Sequence, residues 1–199
     1  MTIASRTAIS LERRAVVRRI LDGREDGTIV VAGLGSPCWD LASAGDHPLN
    51  FYLNGGMGSA AAIGLGLALA QSAHRVVVVT GDGELLMALG MLATIGVAAP
   101  KNLAIVVLDN ERYLETGGQP THTGRGVDLA AVALACGIVE ARTIYSQAEL
   151  DAEVPRIRSA NGPVVSVVKI TAERPPLVLP PLEATYTKHR IRKRLTGKP

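Results

Sequence analysis

Aromatic side chains are almost missing from this sequence, which has one Phe, one Trp and four Tyr among 199 residues. A core with so few rings must be filled by Val, Leu, Ile and Ala, and that favours α/β layers in which small residues let helices sit close on a sheet. Cysteine is nearly as scarce. Cys38 and Cys136 lie far apart and form no CxxC or metal spacing, which argues against a disulfide scaffold or a cysteine-held cluster and suits a reduced cytoplasm. No apolar run reaches the roughly 20 residues of a membrane span. The most apolar stretch, Gly55–Ala70, is interrupted by glycines. Met1–Thr7 is largely polar and Leu11–Arg19 is rich in arginine, so nothing there resembles a signal peptide. The net charge is +3, with much of the basic excess in Lys188, Arg190, Arg192, Lys193, Arg194 and Lys198. A nucleic-acid partner would want a basic stripe plus aromatics or a known motif, and neither is present. A solvated terminal helix or tail is expected instead. A soluble cytoplasmic protein without membrane or nucleic-acid partners is the expectation.

What is there alternates between strand and helix. Ser10–Leu21 has arginine on one face and aliphatics on another, predicting an amphipathic helix with Ser10 as N-cap. Thr28–Val31 and Asn50–Leu53 are short strand candidates, and Ser59–Ala70 reads as a buried helix. Arg75–Thr80 and Leu103–Leu108 are continuous apolar runs of the kind buried on both faces of a parallel sheet. Glu84–Val97 has helical periodicity. A polar segment, Glu111–Gly126, precedes helices at Val127–Cys136 and Gln147–Ser159 and a last strand at Pro163–Ile170. The pattern predicts one α/β domain, a parallel sheet flanked by helices on both faces. Its core covers about residues 10–170, and a Pro-rich exit and charged tail cover 171–199.

Ligands of such sheets bind beyond the carboxyl ends of the strands. Three turns fall there, Gly33–Ser36, Gly81–Gly83 and Asp109–Asn110, and a fourth, Asn54–Gly58, precedes a helix. Glycines let backbone amides approach an anion closely. Gly81-Asp82-Gly83 alone is a common turn, but Asn110 follows the next buried strand, so one strand–helix–strand unit brings both side chains to the same edge. A carboxylate and an amide oxygen are hard ligands suited to Mg²⁺ beside phosphates. The pair is expected to hold a magnesium–diphosphate, with Asp82 as a surface ligand.

Gly81-Asp82-Gly83, a helix, an apolar strand and Asp109-Asn110 together resemble the GDG…N signature of thiamine-diphosphate enzymes. Asn50–Ala70, the Thr116-Gly117-Gly118-Gln119 loop and the Pro-rich exit near Pro175 are similar to phosphonopyruvate decarboxylases and to the beta subunit of sulfopyruvate decarboxylases. The likeness covers most of Gly27–Leu182. The resemblance implies thiamine diphosphate and Mg²⁺ as cofactors. It implies that Asp82, Asn110 and the backbone carbonyl of Arg112 bind the metal, and that Gly83, Glu84, Gly35 and Ser36 cradle the diphosphate. Met57 would be the apolar wedge bending the cofactor, with Gly55, Gly56 and the Met57 amide against its aminopyrimidine. Glu84 and Leu114 stand where the family usually has small residues. Glu84 is expected either to point away from the diphosphate or to pair with a cation such as Arg112.

The family's activating glutamate comes from a separate pyrimidine-binding domain, for which this chain has no room. The resemblance therefore implies one subunit of a two-subunit 2-oxo acid decarboxylase, active only with a partner pyrimidine-binding chain. The alternatives are a carboligase of the acetolactate-synthase type and a non-catalytic, cofactor-stabilised assembly subunit. Arg112, His122 and Arg125 are candidates for recognising the substrate anion, and His122 is the catalytic candidate of this chain. Ser59–Ala70 has hardly any polar residue. Its small positions, Ala60, Ala61, Ala62, Gly64, Gly66 and Ala68, are expected to face another subunit.

Overall fold

Aliphatic runs rich in β-branched residues make strands that must be covered on both sides, and this chain supplies four of them, one interrupted by Ser166. In the computed structural model, which describes residues 10–198, they form the middle of a six-stranded parallel sheet. Helix α1 (Arg13–Leu21) leads to β1 (Ile29–Ala32), α2 (Ser36–Ser43) and β2 (Asn50–Tyr52). Then come α3 (Ala60–Ala70), β3 (Val76–Gly81), α4 (Asp82–Met87), α5 (Met91–Ala98) and β4 (Leu103–Asp109). A small antiparallel hairpin, β5 (Arg112–Tyr113) and β6 (Gln119–Pro120), precedes α6 (Leu129–Ala135) and β7 (Glu140–Ile144). The chain ends with α7 (Gln147–Ser159), β8 (Val164–Lys169) and α8 (Ala184–Thr196).

The strand order is β2-β1-β3-β4-β8-β7. Alternate strand residues feed two cores. Ile29, Val31, Val76, Val78, Ile105 and Val107 pack with α3, α5 and α6, whereas Val30, Val77, Val79 and Val106 pack with α1, α2 and α7. Helices therefore cover both faces, as the alternation of elements predicted. The path from β1 turns toward β2 and the path from β3 turns toward β4, so the order reverses between β1 and β3. A crevice opens outside the carboxyl ends of strands at such a reversal.

Several boundaries differ from the sequence reading. Helix α1 begins at Arg13 with Glu12 at its N-cap position, so Ser10 does not cap it. The predicted Glu84–Val97 helix is two helices, α4 and α5, broken at Ala88–Gly90 while the apolar periodicity runs on. Strand β7 was not predicted. It is an edge strand, and its sequence EARTI is half polar because only part of it is covered. In α3 the small residues Ala60, Ala61, Gly64 and Ala68 are buried against the chain's own sheet, and only Ala62 and Gly66 look outward with Leu69 and Ala70. Close approach is thus used mainly within the chain.

The C-terminal helix is not simply solvated. Helix α8 lies against the edge strand β2, where Arg190 pairs with Asp46 at 2.5 Å and Arg194 with Asp26 at 2.5 Å. Met1–Thr7 lies outside the described residues. Among the described residues no helix is long and apolar enough to cross a membrane.

Candidate functional site

Four turns surround a cleft of about 490 Å³ at the β1/β3 reversal. They are Gly33–Gly35 after β1, Asn54–Gly58 after β2, the start of α4 after β3, and Asn110 after β4. Asp82, Gly83, Glu84, Asn110, Arg112, Gly35, Ser36 and Met57 all line the cleft, so the structure brings these expected residues together. Gly55 and Gly56 lie on the exposed part of the Met57 loop, beyond the cleft wall. His122 and Arg125 are exposed and do not reach the wall either.

Strand β3 runs straight into α4, and this turns the Asp82 side chain inward. Asp82 is only 2% exposed, so the expected surface ligand is a buried one. Its Oδ2 accepts hydrogen bonds from the Thr121 hydroxyl at 2.5 Å and the Thr123 hydroxyl at 3.0 Å. Thr123 Oγ1 also lies 2.8 Å from Asp109 Oδ1, and Lys169 pairs with both Asp109 and Glu111 at 2.8 Å. Burial, with the Asp109 carboxylate beside it, pushes the Asp82 carboxyl up to about 6. Asp82 and Asp109 thus stand side by side in a buried place, a repulsion that a cation would offset. Asn110 Oδ1 accepts the Arg112 N–H at 3.0 Å, and this local turn folds the chain back into the β5–β6 hairpin. Carboxylate and amide oxygens from two neighbouring strands form a donor set that fits Mg²⁺.

The other side of the cleft suits an anion. Gly35, at φ 75°, caps the N-terminus of α2, where the helix dipole favours negative charge, although Pro37 has no N–H and the Cys38 amide already donates to the Gly35 carbonyl. A carboxylate already sits there, since the Ser36 hydroxyl donates to Glu115 Oε1 at 2.5 Å. Across the cleft the Tyr113 ring lies on Gly83, where an added Cβ would stand 2.3 Å from the ring. An anion corner facing a hard-oxygen pair across one cleft fits a metal-bound diphosphate.

Glu84 follows the first of its two expectations. Its carboxylate turns under the Gly33 turn, away from Arg112, and accepts from Thr80 Oγ1 at 2.8 Å and the Gly58 amide at 3.3 Å. Burial raises its pKa, and these hydrogen bonds oppose the rise. Any Cβ at position 33 would stand 1.7 Å from Glu84 Oε2, so a side chain there would have to displace the carboxylate. Leu114 opens the short 3-10 turn Leu114–Thr116 on the cleft wall.

Sequence reasoning missed several residues of this site. Arg13, buried on α1 and paired with Asp40 at 2.6 Å, reaches the cleft wall, as do Tyr113 and Glu115. The pairing of Thr121 with Thr123 left no periodic signal, because His122 between them is helical and a 3-10 turn begins at Thr123.

Residues 37–168 match the family described as "Thiamine pyrophosphate enzyme, C-terminal TPP binding domain". The chain is 42% identical over 127 residues to sulfopyruvate decarboxylase subunit beta of Methanocaldococcus jannaschii, covering 64% of this chain and 67% of that one. It is 35% identical over 183 residues to the subunit of the same name from Methanococcus maripaludis, covering 92% and 97%. Among solved structures, a putative thiamin diphosphate-dependent enzyme from Mycobacterium smegmatis superposes with a TM-score of 0.71 at 27% identity. That match covers 82% of this chain and 32% of the other, so the present chain corresponds to about a third of that enzyme.

Proposed function

The chain belongs to the thiamine pyrophosphate enzyme family, through the C-terminal TPP-binding domain, and on that premise we propose that it is the diphosphate- and Mg²⁺-binding subunit of a two-chain 2-oxo acid decarboxylase. The observation that carries this reading is the meeting of Asp82 and Asn110 across the cleft from the Gly35–Ser36 corner.

In this reading the Asp82 and Asn110 side chains and the Arg112 carbonyl hold Mg²⁺. Amides of Gly83 and Glu84 at the start of α4, with Gly35 and Ser36 at the start of α2, receive the diphosphate oxygens. Met57 supports the bend of the cofactor, and Gly55, Gly56 and the Met57 amide meet its aminopyrimidine. When bound, thiamine diphosphate supplies a cationic thiazolium that takes up the electron pair left as a 2-oxo acid loses CO₂. The chain's own part is positioning and exclusion of water. Leu34, Met57, Met87 and Leu114 give the cleft an apolar wall, and Arg112 on that wall is the cation placed to meet an arriving carboxylate, whereas His122 and Arg125 stand outside it.

A partner chain is part of the proposal. A relative that matches this chain along almost its whole length is named as a beta subunit, which supports a second chain that brings the pyrimidine-binding domain and the activating glutamate. The test is 2-oxo acid decarboxylation by the purified chain with Mg²⁺ and thiamine diphosphate, with and without that partner. Activity only in the mixture is expected. Robust turnover by the chain alone would refute the two-chain reading.

A further inference from the structure

Helix α3 begins without a side-chain cap of its own, since Ser59 at the N-cap position makes no capping hydrogen bond. The first free amides of a helix need an acceptor. Here the acceptor comes from another element. Glu84, in the first turn of α4 and 4% exposed, takes a hydrogen bond from the Gly58 amide just before α3 at 3.3 Å and another from the Thr80 hydroxyl at the end of β3 at 2.8 Å. The same carboxylate lies against the turn after β1, at the place a Gly33 side chain would fill, and the Leu34 and Ala60 amides face it closely enough to oppose the rise of its pKa. Two hydrogen bonds and two facing amides, from three separate segments, thus converge on two oxygens. Among the described residues no cation pairs with Glu84, so its negative charge is met by backbone dipoles and the α3 N-terminus.

Two of those amides adjoin opposite walls of the cleft. Gly58 follows Met57, and Leu34 precedes Gly35. We propose that Glu84 is a positioning residue that fixes the Met57 loop against the Gly35–Ser36 turn, setting the separation between the apolar wedge and the anion corner before a ligand arrives. The part of this inference that concerns the cofactor rests on the function proposed above, whereas the mechanical part does not. A carboxylate suits this place, because the Gly58 amide can only donate and the Thr80 hydroxyl donates to it as well. Glutamine has the same shape but would aim an NH₂ group at one or two of those donors. Gly33 is the counterpart of the device, the residue whose missing side chain makes room for the carboxylate.

The test uses the full chain carrying Glu84→Gln, with Gly33→Ala as a second variant that keeps the charge but displaces it. Amide hydrogen exchange read by NMR is the first measurement. Exchange at Leu34, Gly58 and Ala60 is expected to quicken by about tenfold or more in both variants while amides of β3 and β4 keep their protection. Calorimetry with Mg²⁺ is the second. Affinity for thiamine diphosphate, which must span wedge and corner, is expected to fall by about tenfold, while affinity for inorganic diphosphate changes much less. Unchanged exchange at the three amides, or an equal loss for both ligands, would overturn the inference. Failure of the unaltered chain to bind either ligand would instead count against the proposed function, and the exchange result would still decide the role of Glu84.

Discussion

The Thr121 hydroxyl stands 2.5 Å from Asp82 Oδ2 although 39 residues separate the two in sequence. This contact ties the polar segment after β6 to the turn after β3. Thr123, two residues on, touches Asp82 and Asp109 together and completes a buried ring of oxygen atoms braced by Lys169. The orientation of Asp82 is therefore set by the chain beyond Asn110 as much as by the Gly-Asp-Gly turn itself.

Asp82→Asn keeps the shape of the side chain and can still accept from one threonine. It removes the charge that a divalent ion needs. Mg²⁺-dependent binding of thiamine diphosphate is expected to be lost while the melting temperature stays close to that of the parent. Calorimetric titration with and without Mg²⁺ checks this, and unaltered affinity would show that Asp82 is not a ligand.

Thr123→Val is nearly isosteric and deletes the one hydroxyl shared by Asp82 and Asp109. Residues that orient a metal ligand typically matter by about 10–100-fold in metal affinity. A loss of that size is expected in the Mg²⁺ concentration that supports half-maximal cofactor binding. Thr121→Val should behave similarly, with the smaller effect if Asp109 also needs its donor from Thr123.

The outward face of α3 continues across α5. Leu69 is 58% exposed and Val97 89% exposed. An apolar area of this kind marks a contact surface. Leu69→Glu leaves the buried face of α3 intact, so the chain should fold normally. A charge trapped unpaired in a subunit contact costs several kcal/mol, and the variant is expected to run at a lower oligomeric mass in size-exclusion with light scattering. Unchanged mass would remove this face from the assembly. Ala68, which the sequence suggested as an equivalent probe, is buried inside the chain and would report on folding instead.

Helix α7 carries a complete capping box. The Ser146 hydroxyl accepts the Glu149 amide at 3.3 Å, and Glu149 Oε2 accepts the Tyr145 and Ser146 amides at 2.6 and 3.0 Å. Ser146→Ala should cost about 1 kcal/mol in urea denaturation. The Tyr145 amide in particular holds the Glu149 carboxyl below its ordinary value of 4.5. A depressed folded pKa means a stabilising contribution that is complete above 4.5 and is lost as pH falls through the folded value. Glu149→Gln should therefore flatten the acid side of the stability profile and leave stability above pH 6 little more dependent on pH than in the parent.

How far the sequence could be read depended on whether burial leaves a compositional trace. Strands β3 and β4 are covered on both faces and show it as unbroken aliphatic runs, which also located the turns bearing Asp82 and Asn110. Strand β7 lies at the edge, where Glu140 and Arg142 pair with Arg156 and Glu153 of α7, and left no such run. The break between α4 and α5 was hidden because Leu85, Leu92 and Ile95 are all buried and keep the helical spacing across it. The inward turn of Asp82 depended on Thr121 and Thr123, and a segment without periodicity gives no hint of where it will fold back. Glu84 looked out of place beside a diphosphate because its partners are backbone amides, which every sequence has and none displays.

The Ser36–Glu115 contact turns ligand entry at that corner into a competition. Glu115 is tethered a few ångströms from the place it fills, so its local concentration there is on the order of millimolar or higher for so short a tether. An oxyanion arriving from solution must win against this resident rival, and its apparent affinity is reduced by the fraction of time the rival is seated. The contact that keeps the corner from standing bare also sets a threshold, which only an anion more highly charged than a single carboxylate readily passes.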